Sequence, residues 1–394
     1  MRKILFILSD LPFPRDKNGI TLIDYEILTR LPTDYIIDIL ILNHGEIAKK
    51  DKELFNVVFP RVQSVHHQKT NKLKMYINII SRALFNFSVF TSLKISTSKY
   101  IDGFDVVYIS SVSIDLDVKK IKPPVFFNAV DSFSKFNYRE WQVSGKLYSQ
   151  VKYYLYKNYE RYILNYVDAF NLVSRKDKEF MCAIHKNNIN KITNINIGVD
   201  SSRFHCKSEC GYSQEDKKTF NILFLGNFDY NPNADAARFL CNEIYPLLQS
   251  MYMDVKVYIV GKNPPNDLLD SKNIIRTGFV SDVSVYYRMA TVFICPLKLG
   301  AGMKNKILEA MATGLPIISS DVGVEGIDGL TDGENYLRAN TLHEYVDAIT
   351  RVHNNPLLGD GLGRKAAKLI SEKYDWQNIV DRYVTKLQDI SDTQ

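Results

Sequence analysis

Long apolar runs are missing from this chain of 394 residues. No window approaches the ~18 uninterrupted apolar residues that a membrane-spanning helix needs. The N-terminal stretch MRKILFILS is basic and then apolar, but Asp10 and two prolines follow where a signal peptide would have a small-residue cleavage site. We therefore interpret this stretch as a buried first strand. At this length, with 45% hydrophobic and 24% charged residues, the chain is typical of a globular protein with two domains.

Cysteine is also scarce, and its spacing excludes the usual metal and disulfide frameworks. The five cysteines are scattered, and only Cys206 and Cys210 lie close together in sequence. No second pair with histidines completes a zinc site, so we predict reduced thiols of a cytosolic protein. The adjacent pair His66 and His67 has no carboxylate nearby in sequence, and we interpret it as surface.

Acidic residues are absent from residues 61 to 100, although this segment holds seven Lys or Arg together with Tyr76, Phe85, Phe87 and Phe90. One interpretation is a solvated helix face with ordinary core aromatics. The other is adsorption to anionic lipid, to which each basic residue near the surface adds ~1 kcal/mol. A second patch of lysines and tyrosines, KLYSQVKYYLYKNYERYILNY, supports the lipid interpretation, which we favour. Nucleic acid is not predicted as a partner, because no known reading motif is present.

Short apolar, β-branched runs alternate with amphipathic stretches along the whole chain. The runs are KILFILS, YIIDILIL, DVVYIS, VFFNAV and DAFNLVS, then FNILFLG, VKVYIVG, NIIRTG, TVFICP and PIISS. Such continuous apolar character is typical of strands buried in parallel sheets, and helical patterns such as residues 21–31 and 146–165 separate them. A polar, turn-rich seam occupies residues 196–219. The pattern predicts an α/β protein with two doubly wound domains.

A glycine loop with two lysines, Lys304 and Lys306, stands directly before a predicted helix in LKLGAGMKNKILEAMATGLPIISS, residues 297–320. Glycines let the backbone approach a ligand, and a helix start presents unpaired N–H groups that suit a phosphate. The loop follows the strand run TVFICP, and ligands of open α/β sheets bind at the carboxyl ends of strands. Gly226, Gly261, Gly278 and Pro296 fall at such ends too. The loop predicts a phosphorylated ligand, the alternative being that the lysines are ordinary surface charges.

In order along the chain, these motifs resemble the retaining glycosyltransferases of family 4, which have the GT-B fold. The resemblance is carried by INIGVDSSRF, LFLGNFDYNPNADAARF, GFVSDVSVYYRMATVFICPLKLGAGMKNKILEAMATGLPIISSDVGVEGI, the YDW before the last helix, and LPFPRDKNGITLIDYEILTRL at the front. It implies two Rossmann-like domains facing a central cleft. The acceptor-binding domain would span residues 1–200 and the nucleotide-sugar-binding domain residues 201–374. Residues 375–394 would form a helix that crosses back to the first domain.

The resemblance also implies donor-binding residues in the second domain. Glu309 matches the glutamate that holds the ribose hydroxyls, and Val280 matches the position whose backbone recognises the base. Gly226 and the following Asn227 match the turn that approaches the phosphates. The loop whose amides face the diphosphate corresponds to Gly300, Ala301, Gly302, Met303 and Lys304. Glu309 also lies among apolar neighbours, and a buried acid without a partner would be unfavourable, which favours ligand contact over a solvated helix carboxylate.

Two positions depart from the family pattern. The usual acidic pair is spaced E-x7-E, and Ala301 stands where the first glutamate would contact the transferred sugar. The Arg and Lys that usually follow the first strand of the second domain are replaced by Asn227 and Pro232. Charge on the departing diphosphate still needs a cation, and Lys304 and Lys306 are the available substitutes. A subgroup with G-A-G-x-K-x-K resembles this chain in both changes, so we predict a variant active site.

On the acceptor side, Asp131 in NAVDSFSKF resembles the polar residue that assists the incoming hydroxyl. Its alternative role is to cap the helix after its strand. Asp16 and Gly19, in the first glycine loop, are predicted to lie on the acceptor side, near Asp10. The tripeptide Asp115-Leu116-Asp117 spells the D-x-D of metal-dependent glycosyltransferases of another fold, but it lies in the wrong half of the chain. We interpret it as a coincidence and expect neither a metal nor another cofactor.

The sequence thus predicts a cytoplasmic enzyme, peripheral on the inner face of the plasma membrane, that transfers a sugar from a nucleotide donor. A UDP-sugar is favoured as donor, and the acceptor would be a glycan or a lipid-linked sugar of a bacterial-type surface polysaccharide. A GT-B nucleotide-sugar epimerase or hydrolase is one alternative, although the acids and histidine that it needs are not seen beside the glycine loop. A nucleotide-sugar-binding protein without turnover is the other, suggested by Ala301.

Overall fold

The computed structural model describes residues 1–15, 19–43, 45–90, 100–111, 114, 116–205, 219–251, 254–300 and 302–393. Internal contacts divide the chain into two units. The N-terminal unit contains Met1–Asn196 and Gln377–Gln394, and the C-terminal unit contains Ile197–Trp376. No helix in the described ranges is long and apolar enough to cross a membrane.

The N-terminal unit is built on a parallel sheet of seven strands, in the order β3-β2-β1-β4-β5-β6-β7. The strands are β1 (Arg2–Leu8), β2 (Tyr35–Asn43), β3 (Val62–Lys69), β4 (Val106–Ser110), β5 (Val125–Val130), β6 (Ala169–Leu172) and β7 (Ile192–Asn194). The helices are Gly19–Arg30, Lys49–Val58, Lys72–Phe85, Phe133–Ser144, Leu147–Tyr166, Arg175–Ile184 and Trp376–Ser391, with 3-10 turns at Val118–Lys120 and Lys186–Lys191. The central strands are fully buried, as their apolar runs predict.

The C-terminal unit is built on a parallel sheet of six strands, in the order β10-β9-β8-β11-β12-β13. Its strands are β8 (Phe220–Leu225), β9 (Val255–Val260), β10 (Ile274–Gly278), β11 (Val292–Cys295), β12 (Ile317–Ser319) and β13 (Leu337–Arg338). Its helices are Asn231–Arg238, a π-helical turn Phe239–Ile244, Tyr245–Ser250, Ser284–Met289, Asn305–Ala312, Leu342–Asn354 and Pro356–Lys373. In both sheets the order reverses at the first strand of the unit, as in doubly wound folds.

The prediction of two Rossmann-like α/β domains is confirmed, and all ten predicted strands are present within two residues of their predicted ends. Three strands were not predicted: β3, β7 and β13. The strand β3 falls in the basic segment, where VQSVHHQK has little apolar character because the strand lies at the sheet edge and pairs only with β2. His66 and His67 belong to it, and their rings contact Ser64 and Asn43, respectively.

Two segments mark where the chain passes from one unit to the other. Val199 donates its amide to the carbonyl of Tyr374 at 2.8 Å, so the segments after Asn196 and before Trp376 lie side by side. Position 198 requires glycine, because a Cβ there would lie 2.7 Å from the indole of Trp376. Beyond Trp376 the last helix packs with the N-terminal unit. These breaks fall a few residues from the predicted limits at residues 200 and 374.

Candidate functional site

Three glycines lie at the carboxyl edge of the C-terminal sheet, where Gly226 and Gly261 directly follow β8 and β9 and Gly278 is the last residue of β10. The amide of Gly226 donates to the carbonyl of Val260 at 3.0 Å, and that of Gly261 to the carbonyl of Gly278 at 3.1 Å. Gly261 has a φ of +133°, and a Cβ there would overlap the carbonyl oxygen of Gly226. Only glycine fits such close packing of backbones, so this edge of the sheet is formed by main chain.

The glycine loop after β11 leads into the helix Asn305–Ala312, with Lys304 at its N-cap. The ammonium of Lys304 has no acceptor with which to cap the helix, and no acid lies in the first helical turn. Its ammonium instead donates to the carbonyl of Gly302 at 2.5 Å, so it folds back over the loop. Gly300, Gly302 and Met303 are buried, whereas Ala301 lies outside the described residues. A lysine and the positive end of the helix dipole thus lie together at this helix start.

Glu309 lies in the same helix and is half-buried. Its Oε2 accepts a hydrogen bond of 2.9 Å from the hydroxyl of Tyr287, which also donates to the carbonyl of Lys306 at 3.0 Å. Burial and then the charge of Glu309 raise the pKa of Tyr287 well above its usual range, so this hydroxyl stays a donor. Tyr287 therefore orients the carboxylate from the protein side, as a ligand-binding acid requires.

The backbone of Lys306 lies in the same helix, but its side chain reaches to the helix that follows β8. Its ammonium donates to Oδ1 of Asn233 at 2.7 Å and lies 4.5 Å from the ring centre of Phe224. The pKa of Lys306 is lowered to about 8, mainly by burial and also by the charge of Lys304, against the raising effects of Cys295 and Glu309. The alternative that both lysines are ordinary surface charges is therefore wrong for Lys306.

The remaining donor-side residues lie in neighbouring loops of the same unit. Asn227 is exposed, and its carbonyl accepts a bond of 2.8 Å from Asn233. Val280 is half-buried in the loop after β10, beside Phe279, whose side chain is 79% exposed. Hydrogen bonds thus connect Asn227 through Asn233 to Lys306, and Lys306 through Tyr287 to Glu309.

In the N-terminal unit, Asp131 follows a strained turn at the end of β5. The amide of Asp131 bonds to the carbonyl of Ala129 at 2.9 Å, which closes a γ-turn around Val130, whose φ is +68°. A positive φ is unfavourable for a β-branched residue, and this form of γ-turn is rare. Ser111, at the end of the neighbouring strand β4, has a φ of +83°. Such strain concentrates at functional sites, which supports a role for this edge of the sheet.

The helix after Asp131 has its own cap. Ser132 accepts the capping bond from the amide of Lys135, so the alternative that Asp131 caps this helix is wrong. Oε1 of Glu160 accepts from the amide of Ser134 at 3.1 Å, and Oε2 accepts from its hydroxyl. Burial raises the pKa of Glu160 to about 7, against the lowering effect of these bonds.

A buried ion pair completes the same helix start. The ammonium of Lys135 lies 2.5 Å from Oδ1 of Asp177, and their side chains are 6% and 0% exposed. The other oxygen of Asp177 accepts from the amide of Ser132 at 3.2 Å. The free amides of this helix start are therefore occupied by the protein's own carboxylates.

The predicted first glycine loop is only partly described. Asp16 lies outside the described residues, and Gly19 is exposed at the start of the helix Gly19–Arg30. Glu26 in this helix is fully buried and pairs with both Arg15 and Arg30. The pair with Arg15 connects the segment that follows β1 to the helix.

No metal centre is formed by the residues that the structure describes. Asp115 of the D-x-D lies outside them, and Asp117 accepts hydrogen bonds from Tyr162 and Ser88 in the N-terminal unit. Across the described ranges, no group of three or more His, Cys, Asp or Glu side chains is arranged to hold a metal ion.

Two residues of the candidate site, Asn233 and Tyr287, were missed from the sequence. Asn233 lies in the first turn of the helix Asn231–Arg238 and is buried although it is polar. Tyr287 lies within an apolar stretch, where an aromatic residue usually indicates only that the side chain packs in the hydrophobic core. Asn233 could have been identified from its position, because it is a polar residue next to Pro232 on the helix face that carries the buried Ala234 and Ala237.

Residues 219–355 match the family Glycosyl transferases group 1. The match covers about a third of the chain and includes all the donor-side candidates, whereas Asp131, Asp16 and Gly19 lie outside it. It supports a glycosyltransferase, and the loop 300–306 and Glu309 fall inside the matched region.

Curated relatives are similar at low identity. An uncharacterized 44.6 kDa protein in the cps region of Klebsiella pneumoniae is 22% identical over 96% of this chain and 98% of its own length. A putative teichuronic acid biosynthesis glycosyltransferase of Bacillus subtilis is 29% identical over 29% of this chain and 30% of its own. A poly(ribitol-phosphate) alpha-N-acetylglucosaminyltransferase of Staphylococcus aureus is 24% identical over 33% of this chain and 28% of its own.

Solved structures resemble the whole chain. Sucrose-phosphate synthase from Thermosynechococcus elongatus has a TM-score of 0.72 at 14% identity, with complete coverage of both chains. HepE from Anabaena in complex with UDP-glucose has a TM-score of 0.68 at 12% identity, covering 99% of this chain and 100% of the other. At these identities the likeness shows the fold, which is that of the GT-B glycosyltransferases.

Proposed function

We propose that this protein is a retaining glycosyltransferase that moves a sugar from a nucleotide-sugar donor, most simply a UDP-sugar, to a glycan or lipid-linked acceptor of a bacterial-type surface polysaccharide. One observation carries the proposal. The carboxylate of Glu309 accepts a hydrogen bond from the buried Tyr287, and Glu309 lies in the same short helix whose start carries Lys304 and Lys306. That arrangement suits one ligand with both a diol and a diphosphate.

Each donor contact follows from the chemistry of the group. An oriented carboxylate forms strong hydrogen bonds to the two ribose hydroxyls. The amides from Gly300 to Lys304 and the lysine ammonium groups would bind the diphosphate. The backbone at Val280 would bind the edge of the base. The complex of HepE with UDP-glucose and the similarity to glycosyltransferases of Bacillus subtilis and Staphylococcus aureus support this class of donor.

Transfer would proceed with retained configuration. As the sugar bond breaks, charge grows on the diphosphate, and Lys304 and Lys306 stabilise it. The acceptor hydroxyl attacks on the face from which the diphosphate leaves, with Asp131 assisting the hydroxyl. Because two lysines supply the positive charge, we propose that the reaction needs no metal ion.

The acceptor side of the proposal includes an anionic membrane surface. Two helices of the N-terminal unit that pack against each other, Lys72–Phe85 and Leu147–Tyr166, each expose an apolar face. The apolar patch consists of Leu73, Tyr76, Ile80, Leu84, Leu147, Tyr148, Val151 and Tyr154. Burial raises the pKa of Tyr156, and the hydroxyls of Tyr76 and Tyr148 add to this, so the two faces adjoin.

Charge favours lipid as the occupant of the apolar patch. Lys72 and Lys74 are exposed beside it, and the ammonium of Lys152 lies 4.3 Å from the ring centre of Tyr148. Arg82 does not contribute, because it is buried and donates to Ser88. Apolar side chains flanked by lysines suit the interface of an anionic bilayer. We propose that the protein works on the cytoplasmic face of the membrane.

The membrane proposal is tested with the purified chain and vesicles that contain anionic lipid. The wild type should co-sediment at low salt and be released as salt screens the lysines. The double variant Tyr76→Glu/Ile80→Glu should bind at least about tenfold more weakly, since it places charge inside the apolar patch. Leu357→Glu, at an exposed leucine of the C-terminal unit, is the matched control. Equal binding by both variants would contradict the proposal.

The activity is tested by incubating the protein with a panel of labelled nucleotide sugars, with and without lipid extract. Release of nucleotide that depends on the acceptor supports transfer. Conversion of the donor without an acceptor would support the epimerase or hydrolase alternative. Binding without any turnover would support a nucleotide-sugar-binding protein.

The carboxylate is tested by Glu309→Gln, which keeps the volume but removes the charge that strengthens bonds to hydroxyls. The dissociation constant of the donor identified in the panel should rise about tenfold by calorimetry, equivalent to ~1.4 kcal/mol. Glu372→Gln, at an exposed glutamate of the same unit, should leave it unchanged. An unchanged constant for Glu309→Gln would remove the central residue from the proposal.

A further inference from the structure

Lys306 is held away from its own helix by a partner distant in sequence. It is the second residue of the helix Asn305–Ala312, yet its ammonium contacts Asn233, 73 residues earlier in the chain. Asn233 belongs to the first turn of the helix that follows β8. The side chain of Lys306 thus spans from the loop after β11 to the loop after β8, which are neighbouring strands of the sheet.

The amide of Asn233 has a defined orientation. Its Nδ2 donates to the carbonyl of Asn227 at 2.8 Å, and its Oδ1 accepts from Lys306 at 2.7 Å. Rotating the amide by half a turn would point an NH₂ group at the ammonium and an oxygen at the carbonyl, and both contacts would then be repulsive. The backbone of Asn227 therefore ensures that an acceptor faces Lys306.

Gly226 leaves room for this amide. A Cβ at Gly226 would lie 2.9 Å from both Cγ and Nδ2 of Asn233. Any side chain there would push the amide away from Lys306. The glycine after β8 thus has a role in packing Asn233, in addition to the close approach of a ligand that the sequence predicts.

An amide is a different partner for a lysine than a carboxylate is. Asn233 fixes the ammonium by a hydrogen bond but brings no negative charge to it, so the positive charge remains for an anionic ligand. The charged or titratable groups that face Lys306 are Lys304, Glu309, the thiol of Cys295 and the hydroxyl of Tyr287, which donates to the carbonyl of Lys306. Asn233 is the neutral member that determines where the ammonium points.

We infer that Asn233 is a positioning residue. It holds the ammonium of Lys306 between the loops after β8 and β11, where a diphosphate leaving group would lie. The inference rests on the proposed function for the identity of that ligand. The placement of Lys306 by Asn233 is independent of it.

The activity test compares Asn233→Leu in two backgrounds. In the wild-type background, Asn233→Leu should lower turnover about tenfold with a smaller change in the KM of the donor. In the Lys306→Met background it should lower turnover less than about twofold, because the group that it positions is already gone. Equal losses in both backgrounds would overturn the inference. Asn354→Leu, at an exposed asparagine of the same unit, controls for an added leucine.

A second readout needs no enzymatic activity. Trace acetylation at a series of pH values, followed by mass spectrometry, gives the apparent pKa of Lys306, with the exposed Lys368 as internal reference. Asn233→Leu should lower this pKa, because the ammonium loses its acceptor, and Asn233→Asp should raise it, because a carboxylate stabilises the charge. Opposite shifts cannot come from loosened structure alone, so shifts that are absent or in one direction would overturn the inference. If no nucleotide sugar is turned over, the proposed function fails while this readout still decides the role of Asn233.

Discussion

Two helix starts in this protein share the same local design and have opposite electrostatics. The helix Phe133–Ser144 and the helix Asn305–Ala312 each follow a buried parallel strand, the first after two residues and the second after the nine residues 296–304. At the first, Glu160 and Asp177 accept from the amides of Ser134 and Ser132. At the second, no acid lies in the first turn and Lys304 occupies the N-cap without a capping bond.

The difference explains why a strand–loop–helix unit does not by itself define an anion site. Unpaired amides and the helix dipole attract negative charge at either helix start. Where the chain supplies its own carboxylates, that attraction stabilises the fold. Where it supplies lysines instead, the attraction is left for a ligand. We therefore expect substitutions at the first helix start to affect stability and those at the second to affect turnover.

The largest effect is expected at the first helix start, from Lys135→Met. It leaves Asp177 buried without its cation, and breaking a buried pair in this way costs about 3–5 kcal/mol of the free energy of unfolding. Urea denaturation measures the loss. Lys176→Met removes an exposed lysine 3.7 Å from Glu179 and should cost less than about 0.5 kcal/mol. Similar losses for both variants would mean that the buried pair does not stabilise this helix start.

The second helix start should respond in turnover. Lys304→Met and Lys306→Met keep most of the side chain and remove the charge that, under the proposed function, stabilises the leaving diphosphate. At least one of them should lower turnover about 100-fold, with a smaller loss of donor binding. Steady-state kinetics with the identified donor measures this, and Lys368→Met, at an exposed lysine, should behave as wild type. Near-normal turnover in both variants would show that the stabilising cation lies elsewhere.

A smaller effect is expected in the pH dependence of stability, through Glu160. Its pKa is raised to about 7 by burial, above the ordinary value of 4.5 for a glutamate, so between these values the folded protein holds a proton that the unfolded chain has released. The stabilisation is complete below pH ~4.5 and is lost as pH rises through 7. Between pH 5.5 and 8 the loss should be about 2 kcal/mol.

Glu160→Gln should remove that part of the slope when urea denaturation is repeated at both pH values. Asp24, also buried, has its pKa raised to about 7 by burial, so a remaining slope of the same sign is expected in the variant. Glu179→Gln, at an exposed acid, is the control and should keep the wild-type slope. A wild-type slope in Glu160→Gln would mean that Glu160 is ionised in the folded protein at all these pH values.

Predictions from the sequence succeeded where the physical signal was local. The ten apolar runs became strands because burial on both faces of a parallel sheet requires continuous apolar character. The loop 300–306 and Glu309 could be proposed as a candidate site from the sequence because glycines, lysines and a lone acid stand within a few residues of one another. β3 was missed because an edge strand needs little apolar character, as VQSVHHQK illustrates.

The surroundings of Asp131 were less predictable, since Glu160 and Asp177, which bind the neighbouring helix start, are distant in sequence. Ser132, next to Asp131, turned out to be the cap, although D-S-F-S suits either residue. The strained turn at Val130 has no sequence signal, because valine is a favourable strand residue and its positive φ is imposed by the surrounding structure.

By itself, the sequence determined the two sheets, the helices between them and the chemical character of the loop before Glu309, because these depend on periodicity and residue type over short stretches. Only the tertiary structure decided which groups occupy each helix start. Glu160 reaches Ser134 from 26 residues away, and Lys306 reaches Asn233 from 73. Such pairs depend on strand order and on close packing between elements, and no local pattern encodes either.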